Sequence, residues 1–551
     1  MSLPRAMPAR LRTLALATAL IAGPVAAAPV PIPADAASGV SRVAAVGLRF
    51  ATPARAAAQT VGSLQLRSPI GLPVDAALQI TGDQALLQPR LPLAGCTTYT
   101  LAQGRPPHTI SHFTTTCSTW SAPTQIDDSR TARLVDRPVN GPQVAVTGDG
   151  GFVAVWFQDD DGRRAILASR FNPDTQSWSA PQAIDLHGPG ASGSSTPALA
   201  TGPQGQVTAV WFQAVDGRDA ILAARLGTTG WSPPQRLDDP ALPGNATNPQ
   251  LAVDALGNVT VVWQQPDGHH TGIEAARWDA AADRWQPARN LDRGTANAYN
   301  PVVATTPQGR VVVAWQQGAS GSEAVDATTR AAPQVPWSPP QRLSPAGQPA
   351  TMPALAATPQ GAVLAAWSQG RQAQRRIVVR RLAPARSQAP SWSATHTLQS
   401  SAFQGAALSP TLIRDAAGNV TLTWQQTGLT QGAARDAILA SRLRADRSGW
   451  TTPTQIDDPA QRSAGNPVLA VDAAGSVRCA WYQDGPEGMQ VQIARLNPGA
   501  GAWSAPQILS NPQATVQASF PAIAISPAGS VMVVWQQFNG WRTVAVARWL
   551  P

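Results

Sequence analysis

The sequence predicts an all-β chain whose larger part is an eight-bladed β-propeller of four-stranded blades, and three observations predict it. The phrase GNVTVVWQQ at 257–265 returns as GNVTLTWQQ at 418–426. It belongs to a set of eight, GGFVAVWFQ, GQVTAVWFQ, GNVTVVWQQ, GRVVVAWQQ, GAVLAAWSQ, GNVTLTWQQ, GSVRCAWYQ and GSVMVVWQQ. Their tryptophans are Trp156, Trp211, Trp263, Trp315, Trp367, Trp424, Trp481 and Trp535, spaced 52–57 residues apart. A second phrase of the type WSAPQxID also occurs eight times, led by Trp120, Trp178, Trp231, Trp285, Trp337, Trp392, Trp450 and Trp503, so sixteen of the 19 tryptophans are held to one register. Finally, 51 prolines and 45 glycines are spread along the chain, the mark of many turns between short strands.

Each unit reads as four strands. In the third, PQLAVD (249–254) is a first strand, ALGN a tight turn, and VTVVWQQ (259–265) a β-branched second strand. IEAARW (273–278) is the third strand, and a hairpin leads to the fourth, WQPARNLD (285–292). A lone sheet with two apolar faces must be sandwiched by neighbours, and this period is that of propeller blades. The first repeat phrase, at Trp120, is of the fourth-strand type, while the chain finishes in TVAVARWLP, a third strand. The strand from Trp120 should therefore complete the blade begun near Pro521 and lock the ring over 118–551.

Burying a tryptophan stabilises by roughly 2–3 kcal/mol, so the sixteen are expected to be structural pegs. The glutamine two residues after each second-strand tryptophan (Gln158, Gln213, Gln265, Gln317, Gln369, Gln426, Gln483 and Gln537) is expected to bond backbone of a neighbouring blade. Arg170, Arg225, Arg277, Arg381, Arg442, Arg495 and Arg548 recur in third strands, with Thr329 in the fourth unit, and are expected to act as struts.

Arg5, Arg10 and Arg12 introduce LALATALIAGPVAAAP, which reads as a signal peptide over 1–28 cut after Ala27 or Ala28. No later apolar run reaches about 18 residues, so no transmembrane segment is expected in the mature chain. The expected location is exported, either periplasmic or secreted to the cell surface. Residues 29–40 read as a linker. All 41 basic residues are arginine, and removing the first three would lower the net charge of +9 to about +6, mild for this size. No nucleic-acid signature accompanies it, so nucleic acid is not an expected partner. Cys96 and Cys117 flank a hairpin whose turn falls at Gly104 to His108, which predicts a disulfide worth roughly 3 kcal/mol. Cys479 replaces a strand valine and reads as a buried thiol.

With a fourth strand opening on tryptophan after a hairpin, the repeat resembles the sialidase-type (BNR, or Asp-box) propeller over 118–551. The resemblance implies fold. The family's activity needs an arginine triad, a tyrosine nucleophile with its glutamate, and an acid aspartate. The hairpins FNPDTQSW, WDAAADRW, LRADRSGW and LNPGAGAW depart from S-x-D-x-G-x-x-W, and no F-R-I-P phrase is present. Of Tyr99, Tyr299 and Tyr482, the last shares a strand slot with Phe157 and Gln264. The reading is a propeller without that catalytic set. Over 41–117, VGLRFATPARA, ALLQPRLPLAGCTTYTL and HTISHFTTT resemble bacterial Ig-like domains of the surface-layer type, which implies a small β-sandwich serving as spacer or adhesion module.

Loops joining fourth to first and second to third strands share one rim and vary, whereas the opposite turns (DALGN, DAAGN, TPQGR) stay uniform, so the variable rim is the candidate ligand face. On it, Trp541 beside Arg542 could stack on a sugar ring, and Tyr299 is counted with them. His269 and His270 in DGHHTG are a vicinal pair without an acidic partner at ligand spacing. Asp159, Asp160 and Asp161 share one turn that could hold calcium but lacks the D-x-D-x-D-G alternation; no other cofactor is expected. Arg371, Arg375 and Arg376 form a positive patch suited to an acidic polysaccharide. The acid pairs Asp127–Asp128, Asp238–Asp239 and Asp457–Asp458 recur at one structural position, strand-end features before they are general acids. The expectation is an exported, monomeric, non-catalytic binding or adhesion protein whose rim contacts a glycan or surface protein. The alternatives are a glycoside hydrolase or polysaccharide lyase with a divergent site, and a periplasmic envelope-assembly scaffold.

Overall fold

The computed structural model describes residues 30–551 apart from 43, 51–62, 70, 72, 91–92, 94–96, 105, 116–118, 128–138, 161–162, 189, 293, 385–390, 401, 431–432, 447–448, 499–500, 511–516 and 539–542. It is all-β. Eight consecutive antiparallel sheets follow the order first, second, third, fourth strand, and are numbered here as blades 1 to 8. Their first strands are Asn140–Val146, Ala191–Thr201, Thr247–Val253, Ala298–Thr305, Ala350–Ala357, Ala407–Arg414, Ala464–Val471 and Ala518–Ile525. These pack side by side in sequence, and that of blade 8 packs on that of blade 1, so the wheel is closed. A shared sheet closes it as well: Thr124–Gln125 pairs with Thr543–Leu550 as the fourth strand of blade 8, so the hydrogen bonds of that ladder join the start of the repeat array to its end. Arg548 Nε donates to Ser121 O, and Ser121 N to Trp549 O at 2.7 Å.

In blade 3 the strands are Thr247–Val253, Val259–Pro266, Thr271–Asp279 and Arg284–Asn290. Fourth strands elsewhere are mostly two-residue pieces such as Gln341–Arg342, because the prolines of the WSPPQ phrase cannot donate to the ladder. The eight second-strand indoles are fully buried. Each sits in the seam with the preceding blade: Trp263 among Val210, Ile221 and Leu237 of blade 2, and Trp156 among Met532, Val534 and Trp549 of blade 8. Each indole Nε1 donates to the Oε1 of the glutamine two residues on, for instance Trp263 to Gln265 at 3.1 Å and Trp535 to Gln537 at 3.0 Å. Gln213, Gln265, Gln317, Gln369, Gln426 and Gln483 then donate Nε2 to carbonyls of the loop entering their own blade. Indole and loop are thus tied by one amide.

Two further sheets precede the wheel. One orders Val30–Ile32, Val46–Arg49, Gln84–Pro89 and Ala76–Thr81; the other Ala37–Val40, His108–Thr115, Thr98–Gln103 and Leu64–Arg67. They close on a common core of Val46, Leu48, Phe50, Leu66, Leu87, Tyr99, Leu101 and Phe113, a β-sandwich. The stretch read as a linker, 29–40, supplies two of these strands; its prolines and small residues hid them by removing any alternation. Cys96 and Cys117 lie outside the described residues, as do residues 1–29. Cys479 is buried with a free thiol, held protonated by that burial.

The sandwich rests on the uniform turns of blades 6 to 8. Arg42 donates to Ala528 O at 2.6 Å and Arg495 to Thr97 Oγ1 at 2.9 Å, and a cavity of about 330 Å³ between them is lined by Leu93, Tyr99, Ala473, Ala474 and Pro527. The opposite rim, of fourth-to-first-strand loops, is left free of it. No helix among the described residues is long and apolar enough to cross a membrane.

Candidate functional site

On that free rim every first strand carries the same irregularity. The ladder to the second strand slips by one residue, between Thr247 and Gln250 in blade 3 and between Tyr299 and Val302 in blade 4. The residue at the slip has a left-handed backbone: Gly141, Thr196, Asn248, Asn300, Met352, Ser409, Asn466 and Phe520, all with φ between 49 and 56°. Each is followed by proline. A β-bulge leaves one residue unpaired, which suits a residue without an N–H. Left-handed φ in a non-glycine residue costs about 1–3 kcal/mol and persists only where the surroundings impose it. Seven of these eight residues are not glycine, so the wheel holds a ring of strained positions around the mouth of its central axis.

The chemistry of this ring is two-sided. Across blades 3 and 4 it is amide: Asn248 Nδ2 donates to Gln264 Oε1 at 3.2 Å, Asn300 N to the same oxygen at 3.2 Å, and Asn300 Nδ2 to Gln316 Oε1 at 2.8 Å. Met352 N donates to Gln316 Oε1 at 3.1 Å, so Gln264 and Gln316 each bridge their own blade to the next. Across blades 7, 8, 1 and 2 aromatic rings enter, Tyr482, Phe520, Phe157 and Phe212, with Asn466 and Gln536 as the amides among them. Arg164 stands 5.5 Å above Phe157, and a Cβ placed on Gly141 would lie 3.6 Å from that ring. Phe520 is 51% and Met352 41% exposed, large apolar surface left at the mouth. This ring was not singled out from sequence, although a signal was there: Pro142, Pro197, Pro249, Pro301, Pro353, Pro410, Pro467 and Pro521 each precede their blade tryptophan by fourteen residues.

The residues singled out from sequence scatter. Trp541, Arg542 and Asp161 lie outside the described residues. Tyr299 stands beside Asn300, paired with Gln316, at the mouth. Arg376 spends its guanidinium on the carbonyls of Ala373, Arg375 and Gly405, leaving Arg371 and Arg375 in the loop. Asp159 and Asp160 are not in a turn: the strand Phe152–Asp160 runs through them, opposite Arg164 and Arg163. His270, expected without an acidic partner, has two, with Nδ1 3.1 Å from Asp267 and Nε2 3.8 Å from Asp292. The extra partner comes from the end of the fourth strand, which spacing along the chain could not reveal. No trio of His, Cys, Asp or Glu able to hold a metal occurs among the described residues.

The strand-end acids are occupied. Asp238 accepts Ile221 N at 3.0 Å and Asp457 accepts Ile438 N at 2.9 Å, while Ser344 and Ser510 do the same with hydroxyls for Val325 N and Val491 N. A job that serine performs equally is a backbone tie, not proton transfer. Behind His270, burial pushes the Glu274 carboxyl up to about 7, against the hydrogen bond from Asn290 Nδ2 at 2.8 Å, and burial likewise raises Asp292. The third-strand arginines mostly brace: Arg170 pairs with Asp149 at 3.0 Å and Arg225 lies 4.1 Å over Trp278. Arg548 stands one position out of that column, since Trp549 rather than Arg548 pairs with Met532.

No protein-family model matches the chain, and no curated protein matches it. Among solved structures, the polysaccharide lyase Uly1 is similar at 8% identity over 74% of this chain and 89% of that one, with a TM-score of 0.40. An α-L-arabinanase from Penicillium chrysogenum complexed with arabinobiose gives 14% over 55% and 92%, TM-score 0.37. A protein of unknown function from Dyadobacter fermentans gives 14% over 59% and 98%, TM-score 0.36.

Proposed function

We propose that this is an exported, non-catalytic binding protein in which a sandwich of the Ig-like kind carries a sialidase-like propeller, and the mouth of the wheel holds a neutral stretch of glycan. The observation that carries the reading is the two-sided mouth. Aromatic faces gathered on one arc, with amide groups beside and across from them, are what a sugar ring needs, an apolar face to stack on and fixed donors and acceptors to orient its hydroxyls. Seating of the sandwich on the other face, which leaves the mouth open, supports it. So does the use of Asp238 and Asp457 as backbone ties. A glycan array probed with the whole protein should return a defined set of oligosaccharides. Phe520→Ala should weaken binding of that set without lowering the melting temperature, and Asn300→Ala should weaken it too, at a cost of about 1 kcal/mol in stability for the lost bond to Gln316. Turnover of an array polysaccharide, abolished by changing one rim carboxylate, would overturn the reading.

A further inference from the structure

A second feature lies on the flank between blades 3 and 4, on the side of the 3–4 hairpins and away from the mouth. A groove of about 350 Å³, at the small end of the range for ligand sites, opens there. Four arginines line it, Arg277, Arg284, Arg289 and Arg330, and the only carboxylate among its lining residues is Asp279, 3.2 Å from Arg277. Pro287, Pro333 and Trp337 give it an apolar wall.

The groove itself belongs to the wheel; its charge does not. Equivalent seams open between blades 1 and 2 and between blades 6 and 7, and there the position of Arg330 is filled by Leu226 and Leu496. Around the ring that column, opposite the start of the second strand, reads Phe171, Leu226, Trp278, Arg330, Leu382, Leu443, Leu496 and Leu550. Blade 4 alone sets a guanidinium where seven blades set an apolar side chain. Its Nε donates to Val335 O at 3.1 Å and its carbon centre stands 6.0 Å from the Trp337 ring centre. Burial first, then repulsion from Arg277 and Arg289, lowers the Arg330 pKa, so these like charges do crowd one another. Four guanidinium groups share the single carboxylate of Asp279, which sits on Arg277; half-buried like charges so under-compensated cost stability, and such clusters mark sites.

We propose that this groove binds an acidic sugar unit, a carboxylate or sulfate on a pyranose-sized ring, with the oxoanion among Arg277, Arg289 and Arg330 and the ring against Trp337. Arginine forks suit both oxoanions, which accept two parallel N–H bonds. The apolar wall selects a ring-borne group over a bare ion. This site is independent of the mouth, so either can fail alone.

The whole protein would be titrated at low salt with trigalacturonate and with a sulfated disaccharide, against maltotriose and inorganic sulfate, following heat and tryptophan fluorescence. At least one acidic sugar should bind, and Arg330→Leu, which restores the residue most blades carry, should weaken it by about tenfold or more while the melting temperature holds or rises. Arg289→Ala, at an exposed position, should weaken it about threefold and serves should the first variant not fold. Maltotriose binding as tightly as either acidic sugar, inorganic sulfate matching the sulfated disaccharide, or affinity unmoved in both variants would each overturn the proposal.

Discussion

Two sets of eight residues run round the wheel, and they obey opposite rules. In the second-strand column the side chain never changes: tryptophan, then one residue, then glutamine, on ordinary extended backbone. In the first-strand ring the backbone never changes, φ near 50° before proline, while the side chain drifts through glycine, threonine, asparagine, methionine, serine and phenylalanine. Where a side chain is fixed, packing is what the position supplies. A fixed backbone with a free side chain supplies a mounting, on which chemistry can vary without disturbing the wheel. The difference separates architecture from function within one repeat.

Removing a peg should break the first rule at the greatest cost. Trp263→Ala empties a seam between blades 2 and 3 and strands the Gln265 Oε1 that its indole occupied. A loss of about 3–5 kcal/mol is expected, read from urea or guanidinium unfolding. If stability is unmoved, the indole does not hold the seam.

The column rule can also be tested where a charge enters the core. Glu274 pairs with Trp263 in a third-strand position that holds Leu167, Leu222, Val378, Leu439 and Val546 in five blades, Gln492 in blade 7 and the half-buried Asp326 in blade 4. Its carboxyl goes from the ordinary 4.5 to about 7 on folding, so the folded chain keeps a proton the unfolded chain releases. Its contribution is whole below about pH 4.5, is lost progressively as pH rises through 7, and amounts to about 3 kcal/mol. Glu274→Gln, neutral throughout, should match the parent near pH 4.5 and exceed it by about that amount at pH 8, measured by denaturant unfolding at both values. Equal curves at pH 8 would mean the carboxylate is solvated.

How much of this was legible follows from the same contrast. A rule about side chains is written in letters, so the repeat of eight, the closing strand at Trp120 and the burial of the second-strand tryptophans could be read from the chain; the glutamines, expected to reach backbone of a neighbouring blade, instead accept the indole of their own blade. A rule about backbone is written only through what tolerates it. Eight prolines at constant distance from tryptophan were its one trace, and the varied residue before each proline masked the motif. Seam features were hidden for another reason. Arg330, Leu226 and Leu496 each stand 15 residues after their blade tryptophan, but the letters do not show which side chains meet across a seam, and Arg548 was aligned with the arginine column although Trp549, 14 residues after Trp535, is the residue that fills it. The fourth strands shrank because proline interrupts them.

The smallest expected effect is the most direct test of the second rule. Phe520 is half exposed, left-handed, and has its backbone set by Pro521 and by the slip between Ser519 and Ala522. On an ordinary strand, alanine is worth about 0.5–1 kcal/mol more than glycine, because glycine loses more freedom on folding. At a position held at positive φ the order reverses, since alanine keeps the clash of its Cβ and glycine removes it. Phe520→Gly should therefore be more stable than Phe520→Ala by about 1 kcal/mol, whereas the same pair at Thr260, on the extended second strand of blade 3, should run the other way. Both changes at 520 remove the aromatic ring and should weaken glycan binding alike, so stability and binding separate at one residue. If alanine proves the more stable at 520 as well, the backbone there is not under constraint. The drift of side chains around the mouth would then reflect indifference, not a mounting for a ligand.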